Sequence, residues 1–176
     1  LNRGNHVLED IIKSCRAAAF THLVVVSENR GNPTGLNLIC LPHGNSYYFS
    51  LHNVVLRHDI KDESMPNVPE SAPHLIFHNI TTDLGIKVKN GLSSAFAVEA
   101  KSHSARVVSF INQDDVISFR QHIFSTHSGK ESILELGPRF EMLLYELRNG
   151  PPDYADSELE WSLRPYMRTN KKRNFL

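Results

Sequence analysis

An α/β fold is what this sequence predicts, and three observations predict it. Apolar residues recur at helical spacing twice, once near residue 11 and once near residue 88. Between and after these segments lie β-branched and aromatic runs of strand length. An acidic, proline-bearing stretch without period, residues 59–73, divides the chain into 1–73 and 74–176. Each part reads as one helix with three or four strands. The order of elements suggests a duplicated unit inside a single domain spanning 1–176.

Taken in order, Val7 to Phe20 is helical, with Val7, Ile11, Cys15 and Ala18/Ala19 on one face and Lys13 and Arg16 off it. His22 to Ser27, "HLVVVS", is a β-branched run that predicts a strand buried on both faces. "ENRGNPTG" is turn chemistry, with Gly31, Pro33 and Gly35 in close succession. "LNLICLP" and "SYYFSLHNVVL" follow as strands joined by the hairpin "HGN". After the acidic loop, His74 to His78 is a short strand. Thr82 caps a helix that carries Leu84, Val88, Leu92 and Ala95/Phe96, with Asp83 favourable in its first turn. "RVVSFI" and "DVISFRQHIF" are strands around the turn "NQDD", and "SILEL" is another. From Phe140 the residues alternate. Phe140, Met142 and Leu144 fall on one side; Leu143, Tyr145 and Leu147 on the other predict a final strand covered on both faces. Gly137-Pro138 fixes the start of that strand and leaves Arg139 at its rim.

With 176 residues, 40% apolar and 22% charged, the chain is of ordinary globular composition. Lys+Arg and Asp+Glu both number 19, so no global field points to a polyanionic partner. The balance is local: Arg164, Arg168, Lys171, Lys172 and Arg173 form a basic end without an acidic residue. Cys15 and Cys40 read as small apolar residues in a reducing compartment, not as a disulfide pair. No apolar run approaches the ~20 residues that span a bilayer, so no membrane association is expected. The chain begins at Leu1, and an upstream segment is expected to precede it.

Signals for catalysis are weak. His74 and His78 are four apart, but on a strand that separation is ~13 Å. No zinc-binding spacing accompanies them, and no metal is expected. "SGKES" resembles the end of a phosphate loop, but the glycine the pattern needs is Phe124. Asp114-Asp115 reads as a pair of turn formers. The expectation is a non-enzyme without cofactor or small-molecule substrate.

Four ordered stretches carry a family resemblance: Asn29 to Gly44, Phe49 to Ile60, Phe110 to His122 and Glu135 to Leu147. Together with Glu160 to Leu176 they resemble the Brix-domain proteins of ribosome biogenesis, most of all the one that serves the U3 small nucleolar ribonucleoprotein. The resemblance implies two α/β halves related by a pseudo-twofold axis, each like the anticodon-binding domain of class II aminoacyl-tRNA synthetases. It also implies a strand and a basic helical extension upstream of this chain. Implied partners are U3 RNA and pre-ribosomal RNA, a phosphoprotein scaffold and a small S4-like protein of the U3 particle. The implied place is the nucleolus, and the implied role is early processing toward 18S RNA, without catalysis.

Within that frame the cations at strand ends are the candidate RNA contacts: Arg30, Arg57, His58, Arg120 and Arg139, with Arg168, Lys171, Lys172 and Arg173 from the basic end. Arg139 has an alternative partner in Glu135 or Glu141. Tyr47, Tyr48 and Phe49 are the candidate protein contacts, should the chain act mainly as an assembly module.

Overall fold

Backbone hydrogen bonds join nine strands of the described residues into one mixed sheet, and two helices pack on its opposite faces. The computed structural model describes residues 2–60, 65–96, 104–127, 130–167 and 174–176. The strands are β1 (His22–Asn29), β2 (Asn32–Cys40), β3 (Ser46–Val55), β4 (His74–His78), β5 (Arg106–Gln113), β6 (Val116–His127), β7 (Lys130–Glu135), β8 (Arg139–Asn149) and β9 (Glu158–Ser162). Their order across the sheet is β1-β2-β3-β8-β6-β5-β4, with β7 extending the pairing of β6 and β9 that of β8. All neighbours are antiparallel except β4 and β5. The helix α2 (Asp83–Ser94) provides the crossover between that parallel pair.

Side-chain alternation along the strands explains the core. Phe77, Phe110, Phe119 and Phe140 are register partners on four successive strands. Their rings form a ladder with centroid separations of 4.9, 5.4 and 4.5 Å. Each such pair contributes about 0.5–1.5 kcal/mol beyond its area burial. α2 lies on this face, setting Val88 and Leu92 against Tyr47, Phe49 and Leu144. Its first turn is capped as the sequence predicts, Gly85 N–H donating to Thr82 Oγ1 at 2.9 Å. The other helix, α1 (Leu8–Ala17), covers the opposite face of β1 and β2 through Ile12, which packs on Ile39 and Leu41.

Some expectations need correction. α1 ends at Ala17, short of Phe20. Phe20 N–H returns to Cys15 O and Ala19 N–H to Arg16 O, and Ala19 takes φ +58°, closing the helix in the Schellman manner. β1 is an edge strand, not a doubly buried one. Val24 and Val26 are 51% and 55% exposed. β8 is covered on one face only. A register shift opposite Tyr48/Phe49 turns Leu147 onto the core side beside Leu144, leaving Tyr145 exposed. The turn before β2 is just Arg30-Gly31, both at positive φ, so Pro33 and Gly35 belong to the strand.

The C-terminal residues are built into the core. Leu176 is buried, and Phe175 packs on Trp161 at 4.9 Å between ring centroids. The backbone N–H groups of Phe175 and Leu176 both donate to Asp115 Oδ1, at 2.8 and 3.0 Å. Thr82 Oγ1 donates to Phe175 O at 2.8 Å, and Asn112 Nδ2 to Leu176 O at 3.3 Å. Asp114 and Asp115 form the expected turn, both at positive φ. The Asp115 carboxylate has this further duty, which the sequence did not disclose.

Candidate nucleic-acid interface

The stretch that separates β7 from β8 is a corner. Both strands pair with β6, at His122↔Glu135 and Phe119↔Phe140. Between those pairs β6 has two residues, Arg120 and Gln121, whereas the other side has four, Leu136 to Arg139. The surplus bulges out of the ladder. Gly137 takes φ +59°, and a Cβ there would lie 2.6 Å from Ile60 Cδ1. The conformation therefore favours glycine, and a side chain would also have to displace the end of Ile60.

Arginines close around this corner. Arg57 donates from Nη1 to Leu136 O at 2.6 Å and from Nη2 to Pro66 O at 2.7 Å. Arg120 Nη1 donates to Phe119 O and Phe140 O, at 2.8 and 3.2 Å. Arg139 Nη1 donates to Glu135 Oε2 at 2.8 Å. Buried Gln121 receives Arg106 Nη2 on its Oε1 at 2.9 Å and donates from Nε2 to Gly137 O. Burial holds the Arg106 guanidinium below its ordinary pKa, yet it has no carboxylate partner among the described residues. Neither Arg106 nor Gln121 stands out in the sequence.

Register brings the other candidates to the same end of the sheet. Ser27, Gly35, Ser50 and Leu143 are successive partners, so the Arg30-Gly31 turn and the corner lie at one end of β1, β2, β3 and β8. Arg30 is exposed there. His58, also exposed, lies 3.5 Å from Asp59. Arg57 and Arg120 thus have guanidinium groups engaged by backbone carbonyls. Arg139 keeps a 41% exposed side chain with donors beyond its one ion pair. Arg168, Lys171, Lys172 and Arg173 lie outside the described residues. Leu163 N–H donates to Tyr145 O ahead of those positions, and the backbone N–H groups of Phe175 and Leu176 donate to Asp115 beyond them.

The three aromatic candidates separate. Tyr47 and Phe49 are buried under α2, and the Tyr47 hydroxyl donates to Lys87 O at 3.0 Å. Alternation on β3 removes both from any protein-contact surface. Tyr48 points the other way, with its ring 6.1 Å from that of Tyr145. On that same face lie Ser50, His52, Ser118, Arg120 and Arg139, a polar and cationic stretch of the face that α1 covers farther along, at Ile39.

The Brix-domain pattern matches residues 1–146, and the chain belongs to that family. It is 47% identical over 177 residues to the U3 small nucleolar ribonucleoprotein protein IMP4 of Yarrowia lipolytica, covering all of this chain and 62% of that protein. It is 48% identical to its counterpart of Schizosaccharomyces pombe, over 96% of this chain and 58% of that one. With that of Bos taurus the identity is 43%, covering all of this chain and 60% of the relative. The chain thus spans about three fifths of the length of these relatives. Among solved structures, a probable ribosomal biogenesis protein from Aeropyrum pernix superposes with a TM-score of 0.54 at 13% identity, covering 81% of this chain and 78% of that one. That likeness concerns the fold.

Proposed function

We propose that the chain is the Brix-domain portion of a non-catalytic subunit of the U3 small nucleolar ribonucleoprotein. In this reading it binds RNA in the nucleolus and helps U3 pair with pre-ribosomal RNA for early processing toward 18S RNA. The observation that carries the reading is identity of 43–48% along the chain with proteins bearing that name. Phosphate contacts are assigned first to Arg30 and Arg139, whose guanidinium groups retain donors at the sheet end. Arg57, His58 and Arg120 shape the same surface. Arg168, Lys171, Lys172 and Arg173 add charge from the basic end. The domain is proposed to divide into halves 1–73 and 74–176, each akin to an anticodon-binding domain of a class II aminoacyl-tRNA synthetase.

A second reading, docking of partner proteins with little RNA contact, is favoured by the zero formal net charge and by the internal engagement of Arg57 and Arg120. Its partners are the phosphoprotein scaffold and the S4-like protein of the U3 particle, met through Tyr48 on the face opposite α2. Affinity for a U3–pre-rRNA duplex as a function of salt decides between them. RNA binding predicts a log–log slope of several, at about 0.9 per phosphate neutralised. Arg139→Gln then lowers the slope by about one. A variant that loses thermal stability while binding RNA unchanged assigns Arg139 to the Glu135 pair alone. Absence of binding at low salt favours the assembly module.

A further inference from the structure

We propose that a cleft at the far end of β8 from the corner holds a single unpaired nucleobase bearing an exocyclic amino group. The inference rests on the RNA-binding reading and assigns it a second site. Eleven residues of β8 separate the two places, roughly 30 Å of extended chain. The cleft, of about 370 Å³, opens between the turn after β2 and the loop that joins β8 to β9. His43, Asn149, Tyr154, Asp156 and Ser157 line it.

The loop wall is preorganised. The buried Ser46 hydroxyl donates to Gly150 O at 2.9 Å, and Gly150 takes φ +103° to present that carbonyl. Tyr154 N–H donates to Pro151 O and Ser157 N–H to Tyr154 O, making two successive turns. Arg16 reaches across from α1 with two bonds to Asp153, at 2.9 and 3.1 Å. The Asp153 side chain is only 3% exposed, and the Arg16 guanidinium holds its carboxyl below the ordinary range. The same guanidinium sits 4.6 Å from the centre of the Tyr154 ring. A surface loop fixed by this many internal bonds loses little further freedom when it receives a ligand.

The chemistry of the lining selects the ligand. The rings of Tyr154 and His43 are within 16° of parallel with centroids 5.5 Å apart, and the Tyr154 hydroxyl lies 2.9 Å from His43 Nδ1. With Arg16 over the Tyr154 ring, the exposed His43 ring supplies the flat surface, and such rings stack on bases irrespective of sequence. The lining contains a carboxylate and no lysine or arginine, which disfavours a phosphate. Among the described residues the side chains of Asn149 and Asp156 have no hydrogen-bond or ion-pair partner. A carboxylate accepts only, whereas an amide donates and accepts. The complementary edge therefore donates, as the amino groups of adenine, cytosine and guanine do and the edge of uracil, lacking one, does less well. The volume suits a nucleoside.

The test is titration of the full chain with adenosine, cytidine and uridine, followed by NMR at the His43 imidazole and the Tyr154 ring. Saturable shifts at both are expected, with adenosine and cytidine bound roughly tenfold more tightly than uridine, as befits one hydrogen bond to a charged acceptor. Asp156→Asn removes that preference, and His43→Ala weakens all three. Both residues are exposed, so an unchanged thermal midpoint confirms that the fold is retained. Equal affinity for uridine, or no saturable shift at these rings, overturns the proposal. An unpaired oligonucleotide that binds the two variants as well as the parent overturns it too, while leaving RNA binding intact. Nucleosides that bind where no RNA does overturn the RNA-binding reading instead.

Discussion

Arg57, Arg120 and Arg139 stand within a few residues of one corner, yet their surroundings give them different work. Two are held by backbone carbonyls, and one by a carboxylate with solvent beside it. Residue type announces a cation; only the partner says whether that cation is available. The same holds for His22, which faces α2 with Nε2 2.9 Å from Ser94 Oγ and Nδ1 3.0 Å from Thr21 Oγ1. Burial holds its pKa below the ordinary histidine value of 6.5. As pH falls, the unfolded chain takes up this proton before the folded one. The contribution to stability is therefore complete above about pH 6.5 and is lost as pH falls through the lower folded value. Thermal midpoints between pH 7.5 and 5.5 are expected to fall more for the parent chain than for His22→Gln. Parallel curves would show that His22 carries no such linkage.

Elements were legible where period was strong and tertiary pairing simple. The alternation in β8, the β-branched β1 and the Thr82-capped α2 all appear where their residues place them. What alternation could not reveal is which faces are covered, because that depends on register shifts and on how far a helix reaches. The bulge near Tyr145 and the exposed edge at Val24 and Val26 are of this kind. β9 went unread because "ELEWS" is short and charged and has a pattern only against β8. In the candidate site, arginines near strand ends could be gathered from the sequence. The carbonyls that engage them could not, nor could a cleft whose His43 and Tyr154 lie 111 residues apart. Close packing of α2 on β3 supplies a test. In an open helix Gly→Ala gains about 1 kcal/mol. At Gly91 the added Cβ would lie 2.4 Å from Tyr47 Cε2 and Cζ, in a ring whose hydroxyl pKa burial has pushed up to about 12. Overpacking of this order costs about 1–3 kcal/mol, so Gly91→Ala is expected to destabilise. In a Tyr47→Leu background the penalty should vanish, which urea unfolding of the two singles and the double measures directly. A stabilising Gly91→Ala in the parent chain would mean that α2 stands farther from β3.

At the scale of the whole molecule, the sheet is closed over by the last residues of the chain. Leu176 sits in the main apolar core with Val88, Leu144 and Leu147, and Asp115 holds the two final backbone N–H groups. These contacts join the start of α2, the β5–β6 turn and, through Trp161, strand β9. Excising residues 164–176 therefore removes core together with charge, and a lost RNA affinity after such a cut would not identify a phosphate contact. Leu176→Ala alone is expected to cost about 2–4 kcal/mol, from lost transfer energy and the cavity it leaves. Asp115→Ala leaves one buried and one half-buried donor short of their acceptor and should cost about 1–3 kcal/mol. Neutralising Arg168, Lys171, Lys172 and Arg173 to glutamine keeps both Leu176 and Asp115 in the chain and should leave the thermal midpoint within about a degree or two. Differential scanning calorimetry on the three variants separates anchor from charge. If the glutamine variant melts as early as Leu176→Ala, the basic residues are part of the anchor, and the salt slope must then be measured at the sheet-end arginines alone.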